Sequence, residues 1–189
     1  MPYAVTLRLD AAAAAPIEAM WRALAEAGLH EDSLALGYPP HVTLSIHPDG
    51  VDTTRLDAAV ARFAEGWTWP ALHFASFGVF AALVPVLYLA PVVTDALLLG
   101  HQALLGALDD LPCDAHYRPG CWVPHVTLAK GGSASQPGWM GRALDCLVPL
   151  WSSLRAGRAE RLDLVQFRPV AVLRSLVIQP GLAPRATSV

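Results

Sequence analysis

Lysine is nearly absent from this chain of 189 residues, in which Lys130 is the only one. Charged residues make up 15% of the sequence, hydrophobic residues make up 54%, and the net charge is −3. Binding to a long nucleic-acid duplex requires many cations, because each bound phosphate must be neutralised. The composition therefore predicts no long-duplex partner and leaves room for a small nucleotide or an oligonucleotide end that carries a phosphodiester. The hydrophobic content excludes disorder for most of the chain.

Residues 66–94 contain no Asp, Glu, Lys or Arg. A membrane-spanning helix would account for such a run, but prolines at positions 70, 85 and 91 interrupt it and no basic cluster flanks it. We predict two buried strands here instead, and no membrane as a partner.

The sequence lacks several motifs that are typical of other protein classes. The chain has three cysteines but no Cys-x-x-Cys pair, and its first residues lack the positive region and apolar run of a signal peptide. These features predict reduced thiols and a cytoplasmic protein. No glycine-rich phosphate loop, dinucleotide fingerprint or Gly-x-Ser-x-Gly elbow is present.

The most informative feature of the chain is a seven-residue frame that occurs twice. Residues 38–44 read Tyr-Pro-Pro-His-Val-Thr-Leu, and residues 122–128 read Trp-Val-Pro-His-Val-Thr-Leu. Both copies therefore follow the pattern aromatic-x-Pro-His-Val-Thr-Leu. A single histidine on a strand is more often a packed or surface residue, but a repeated His-x-Thr in a repeated frame predicts two similar units that present the same pair of groups.

The repeated frame also predicts how its side chains are held. Proline favours an extended conformation in the residue before it, and Val-Thr-Leu favours a strand. Since side chains alternate along a strand, His41 and Thr43 share one face, and so do His125 and Thr127. The valines and leucines then point to the opposite face, towards a core. By the same alternation Lys130 falls on the face opposite Thr127, unless the strand has already ended.

Two His-x-Thr motifs on strands in a chain of this length resemble the two-histidine (2H) phosphoesterases, which include 2′,5′ RNA ligase-like proteins and 2′,3′-cyclic nucleotide phosphodiesterases. The resemblance extends over nearly the whole chain. It implies an α+β fold in which two similar lobes of mainly antiparallel sheet, with outer helices, are related by a pseudo-twofold axis around a shared central cleft. Residues 1–189 would form one such bilobal domain, with a flexible tail from about residue 180.

Two histidines and two threonines suit phosphodiester chemistry without a metal or cofactor. Histidine titrates near neutrality, so one neutral and one protonated imidazole can act as general base and general acid. The threonine hydroxyls can donate hydrogen bonds to the phosphate oxygens. We predict His41, Thr43, His125 and Thr127 as catalytic residues, and favour His125 as base and His41 as acid in hydrolysis, although the roles can be exchanged and the pair can also catalyse ligation.

Four further residues are predicted to contact the substrate. Tyr38 and Trp122 precede the motif strands and could stack on bases or simply pack the cleft walls. Lys130 could steer the phosphate, and Arg118, in the loop before Trp122, could reach the same anion. His47 is predicted to lie in a loop, because Pro48 follows it.

Two alternatives compete with the enzymatic reading. One is a zinc site, because four potential zinc ligands follow the spacing Cys-x2-His-x4-Cys-x3-His, namely Cys113, His116, Cys121 and His125. That site would consume a motif histidine and leave the duplication unexplained. The other is a module that binds a nucleotide or RNA end without turning it over. The physiological substrate and the oligomeric state stay open.

The remaining sequence predicts strands alternating with helices. The apolar spacing predicts helices over 16–28, 53–65, 94–109 and 139–155, and strands over 3–9, 41–46, 71–80, 83–90, 122–129, 161–168 and 170–178. A glycine- and serine-rich stretch at 131–138 is predicted to be a lid or a linker.

Overall fold

The structure is a computed structural model that describes residues 1–30, 32–131, 137–167 and 169–180. Most of the predicted lid or linker at 131–138, and the predicted flexible tail, lie outside the described residues.

Two antiparallel sheets form the framework of the fold. The larger sheet has four strands in the order β2-β1-β7-β8, and the smaller has three in the order β4-β5-β6. A short parallel pair, β3 with β9, is separate from both. The strands are β1 (Tyr3–Leu9), β2 (His41–His47), β3 (Thr68–Trp69), β4 (Phe74–Phe80), β5 (Val86–Pro91), β6 (Val126–Lys130), β7 (Ala159–Gln166), β8 (Ala171–Val177) and β9 (Gln179–Pro180). The predicted α+β class with antiparallel sheets is confirmed.

Five α-helices connect the strands within the described ranges: α1 (Ala11–Glu26), α2 (Asp32–Ala35), α3 (Thr53–Gly66), α4 (Asp95–Ala107) and α5 (Trp139–Leu147). Helix α1 contacts β6 and α5, whereas α3 contacts α4, β7 and β8. Helix α1 thus follows a strand of the larger sheet but packs on the smaller one. This crossing ties the two lobes together.

The first helix begins earlier than its sequence predicts. The side chain of Asp10 accepts a hydrogen bond from the backbone N–H of Ala13 and caps the helix there. The alanine run that follows is helical, because alanine has the highest helix propensity. Pro16 therefore lies inside the helix and not in its first turn.

Two other boundaries differ from the prediction by more than three residues. The second motif strand starts at Val126 and not at 122, so His125 immediately precedes it. Helix α5 ends at Leu147, and the predicted remainder is a 3₁₀ helix, Val148–Ser153.

A single hydrophobic core joins the two sheets. It contains Leu7 and Leu44 from the larger sheet and Leu87 and Leu128 from the smaller one, all fully buried. None of the helices in the described ranges combines the length and hydrophobicity that crossing a bilayer requires. All three cysteines are free.

Candidate active site

The two motifs present their side chains as the alternation predicts. His41, Thr43, His125 and Thr127 are half-buried, whereas the interleaved valines and leucines are buried in the core. Strands β2 and β6 belong to different sheets but contact each other. The duplicated motif therefore brings one His-x-Thr pair from each lobe to the contact between the sheets.

The duplication extends to a β-bulge at the same place in each motif. In β2, Thr43 pairs with Thr6 and Ser45 pairs with Val5, which leaves Leu44 as the extra residue. In β6, the pairings with β5 leave Leu128 as the extra residue. A bulge reverses the alternation beyond it. Each motif thus contains a bulge directly after its threonine.

The bulges turn Ile46 and Lys130 towards the histidines. Both residues line the cavities that contact the motif side chains. Strict alternation alone would put Lys130 on the opposite face, but the bulge, which the sequence does not reveal, reverses the alternation before Lys130. Substrate contact by Lys130 stays a prediction. The bulge at Leu44 turns His47 towards the core, so it is the buried last residue of β2 and not a loop residue. Its Nδ1 donates to the carbonyl of Pro112, 2.7 Å away.

Both motif histidines are held by the same local hydrogen bond. The Nδ1 atom of His41 lies 2.8 Å from the carbonyl oxygen of Pro39, and Nδ1 of His125 lies 2.8 Å from that of Val123. A carbonyl oxygen only accepts, so Nδ1 carries the hydrogen in each ring. The Nε2 atom of each neutral imidazole is then the nitrogen left to accept or deliver a proton.

The motif residues line two adjoining cavities of about 220 and 620 Å³. His41 lines the smaller cavity and His125 the larger one. The two cavities share four wall residues, namely Thr43, Ile46, Thr127 and Lys130. The cavities are therefore two halves of one cleft, which meet at the threonines.

Burial is the main influence on the protonation of both motif histidines. Burial lowers the pKa of His41, and the positive charge of His125 lowers it further; the Pro39 carbonyl and the Asp163 carboxylate act in the opposite direction. Burial also lowers the pKa of His125, against its bond to Val123. Both imidazoles therefore favour the neutral form more than a free histidine does.

Tyr38 and Trp122 are both buried in the cleft walls. The hydroxyl of Tyr38 lies 2.6 Å from Oγ1 of Thr6 and donates to Asp163 over 2.9 Å. The indole of Trp122 stacks on His101, with ring centroids 3.9 Å apart, and donates to a backbone carbonyl. These contacts favour the wall-packing alternative, and base stacking by either ring stays a prediction.

Arg118 is exposed and lines neither cavity. Burial lowers the pKa of His47, and the charge of Arg118 lowers it further, against the hydrogen bond to Pro112. Tyr117, the neighbour of Arg118, does line the larger cavity, and burial raises the pKa of that phenol to about 12.

The four residues with zinc-ligand spacing are not gathered into a site. In the described part of the chain, no group of three or more His, Cys, Asp or Glu side chains is arranged to hold a metal ion. The side chain of His116 is 92% exposed and contacts Asp114.

Some residues around the cleft were not found from the sequence. Phe80 and Tyr88 flank the ring of His125, with centroids 4.8 and 5.4 Å away. Asp163 is fully buried behind Tyr38. A carboxylate between Leu162 and Leu164 was a signal for Asp163, because an acidic residue inside a strand is uncommon. The flanking aromatics belong to strands that carry no motif.

A pair of matching histidines and threonines in a cleft between two antiparallel sheets is the arrangement of a two-histidine phosphoesterase. The model of the 2′-5′ RNA ligase superfamily matches residues 9–147, and the chain belongs to this family. Membership makes it an enzyme of the phosphoesterase or ligase type.

Solved structures agree with this fold. Usb1 from Kluyveromyces marxianus is 13% identical and aligns with a TM-score of 0.54 over 94% of this chain and 98% of its own. The structure of the same protein with uridine monophosphate is 14% identical and aligns with a TM-score of 0.52 over 94% of this chain and 97% of its own. A comparison with curated protein sequences finds no significant match.

Proposed function

We propose that this protein is a metal-independent phosphodiesterase that opens 2′,3′-cyclic phosphates of nucleotides or RNA ends by histidine general acid–base catalysis. The observation that carries the proposal is the pair of identically held imidazoles, each with Nδ1 on a backbone carbonyl and with a threonine two residues further on. We further propose that residues 1–189 act as one bilobal domain in the cytoplasm, where three free cysteines suit a reducing environment.

The proposed reaction needs two proton transfers. The neutral histidine takes a proton from a water molecule as its oxygen attacks the phosphorus. The bond from phosphorus to one ribose oxygen then breaks, and the protonated histidine gives that oxygen its proton. The product is a 2′- or 3′-phosphate, and exchange with solvent restores the two imidazoles. Each assisted transfer is worth about 10² to 10⁴ in rate.

The threonines would bind the non-bridging oxygens of the phosphate. Thr43 and Thr127 line both cavities, so both residues border the place where the two halves of the cleft meet. Negative charge builds on those oxygens as the attacking oxygen bonds, and a hydroxyl already in position stabilises it.

The charges along the cleft favour a substrate with few phosphates. Among the described residues that line the two cavities, Lys130 is the only lysine or arginine. Asp32 lines the smaller cavity and Asp114 the larger one. One phosphate can therefore sit near Lys130, while phosphates further along would approach carboxylates. This arrangement suits a mononucleotide or a terminal nucleotide better than a long strand.

A second reaction uses the same groups. The name of the family, the 2′-5′ RNA ligase superfamily, is consistent with cleavage or ligation at a 2′,5′ linkage. If an alcohol replaced the attacking water, the same two proton transfers would form a diester.

Incubation with the four 2′,3′-cyclic mononucleotides tests the proposal. We expect 2′- or 3′-phosphate to form, with a rate unchanged by a chelator. His41→Ala and His125→Ala should each lose about two to four orders of magnitude. His73→Ala is the matched control, because His73 is exposed and lines neither cavity.

The alternatives give different results. Tight binding of the nucleotides without product would indicate the binding module, and loss of activity with the chelator would indicate a metal. Turnover of a 2′,5′-linked dinucleotide but not of cyclic phosphates would indicate that the second reaction is the activity of this protein.

A further inference from the structure

A row of polar side chains crosses the larger sheet and ends in the cleft. Thr43 of β2 pairs with Thr6 of β1, Thr6 pairs with Asp163 of β7, and Asp163 pairs with Ser175 of β8. Residues directly opposite each other on neighbouring strands point to the same face. Asp163 therefore belongs to the face of the sheet that carries the first motif, and not to the face in the core.

Asp163 is fully buried, and its two carboxylate oxygens have different partners. Ser175 donates to Oδ1, and the Tyr38 hydroxyl donates to Oδ2 over 2.9 Å. The Nε atom of Arg8 lies 3.6 Å from Oδ2, which is longer than a hydrogen bond. Burying a carboxylate is unfavourable unless its oxygens are bonded. Tyr38 therefore donates a hydrogen bond to Oδ2, whereas Arg8 lies further from this oxygen.

Tyr38 connects this carboxylate to the first catalytic histidine. Its ring centroid lies 4.7 Å from that of His41, and the two rings are tilted by 57°. The hydroxyl at the far end of the ring is fixed between Thr6 and Asp163. The position of the ring against the imidazole is thus determined by the buried carboxylate.

Among the residues that the structure describes, the second motif has no equivalent arrangement. The rings beside His125 are Phe80 and Tyr88, which stack on each other with centroids 4.3 Å apart. The pKa of His125 is shifted by burial and by the bond to Val123, whereas that of His41 is also raised by Asp163. The two motif histidines are therefore alike in sequence but differ in electrostatic environment.

We propose, on the basis of the function proposed above, that Asp163 and Tyr38 are positioning residues for His41: the buried carboxylate holds the Tyr38 ring against the imidazole and stabilises its protonated form. Burial and the charge of His125 both oppose protonation of His41, and the carboxylate offsets part of that opposition. The two histidines can then differ in proton affinity, as an acid and a base must.

Several other charged or titratable groups face His41, and the experiment has to account for them. Arg8 pairs with it directly across β1 and β2. Others line the same half of the cleft, namely His30, Asp32 and Lys130. The adjoining half adds Asp114, His116, Tyr117, Cys121 and His125. Only a change at Asp163 alters the carboxylate behind Tyr38 and leaves all of these in place.

The test is an NMR titration of the imidazole signals in the substrate-free protein, assigned with His41→Ala and His125→Ala. In Asp163→Asn, the titration of His41 should move to lower pH while that of His125 stays in place. Asp57→Asn is the matched control, because this carboxylate pairs with Arg174 and lines neither cavity. Equal titrations of His41 in Asp163→Asn and in the unchanged protein would overturn the proposal, and so would an equal shift of both histidines.

The pH profile of kcat/KM gives a second readout. Only the limb that belongs to His41 should move to lower pH in Asp163→Asn, whereas a merely structural role would scale the whole profile. Because the titration needs no turnover, it tests the inference even if cyclic phosphates are not substrates and the proposed function fails.

A second pair of variants covers the case in which Asp163→Asn does not fold. Arg8→Met and the double variant Arg8→Met/Asp163→Asn differ only in the charge at 163, and the double variant leaves no arginine facing a neutral partner. The double variant should titrate His41 at lower pH than Arg8→Met does. Identical titrations of the two would overturn the proposal.

Discussion

The indole Nε1 of Trp122 donates a hydrogen bond to the backbone carbonyl of Thr43, 2.9 Å away. Trp21 of α1 makes the reciprocal bond to the carbonyl of Thr127, over 3.0 Å. Each lobe thus supplies an indole that holds the threonine strand of the other.

Replacing either indole should loosen the junction between the lobes. Trp122→Phe and Trp21→Phe each remove the donor to a partly buried carbonyl, which costs about 1 to 3 kcal/mol. Urea denaturation should show this loss in the free energy of unfolding. Trp151→Phe is a suitable comparison, because that indole packs against Phe77 at the edge of the core. Equal effects at all three positions would argue against a special role for the reciprocal bonds.

The threonine hydroxyls should matter for the rate and not for folding. Thr43→Val and Thr127→Val keep the shape of the side chain and remove the donor, so kcat should fall about 10² to 10³ in each variant. Both replacements with serine should keep most of the activity. The readout is kcat on a cyclic nucleotide, with Thr68→Val on the exposed face of β3 as control. A valine variant with normal kcat would show that the hydroxyls do not bind the phosphate.

The activity should depend on pH in a bell shape with its optimum on the acid side. The base must be neutral, so kcat/KM rises as pH passes above its pKa; the acid must be protonated, so kcat/KM falls as pH passes above the other pKa. Burial lowers the pKa of both histidines from the usual 6.5, which places both limbs of the free enzyme below that value. A bound phosphate anion favours the protonated forms, so the limbs of kcat should lie at higher pH than those of kcat/KM. An optimum of kcat/KM well above neutrality would contradict this reasoning.

Lys130 should act mainly on substrate binding. Lys130→Met keeps the length of the side chain and removes the charge near the threonines, so KM should rise about tenfold while kcat changes less, because an exposed cation steers an anion without holding it rigidly. Lys130→Arg should restore KM, and added salt should weaken binding to the unchanged protein more than to Lys130→Met. The measurement is KM at two ionic strengths. A fall in kcat alone would instead place the ammonium at the reacting atoms.

The sequence predicted the parts of the site that short-range rules control. The repeated His-x-Thr frame placed two histidines and two threonines on the faces where the structure has them, because alternation along a strand is a local rule. The bulges at Leu44 and Leu128 broke that rule for Lys130 and His47. A bulge depends on the pairing with a neighbouring strand, and a leucine at position 44 or 128 does not predict one.

Long-range contacts account for the rest of what was missed. The bond from Tyr38 to Asp163 joins residues 125 positions apart. The pairing that puts Asp163 beside Thr6 depends on β7 returning to the middle of the larger sheet. A single sequence showed that Asp163 was an unusual residue in an apolar strand, but not which groups it would meet.

The matching bulges make the two halves of the cleft chemically different. They bring position 46 and position 130 inwards at equivalent places, but one is an isoleucine and the other a lysine. The two His-x-Thr pairs are therefore alike, while their immediate neighbours are not. A phosphodiester in the proposed site would have an apolar side chain on one side and an ammonium group on the other. We therefore expect its two possible orientations to differ in binding free energy.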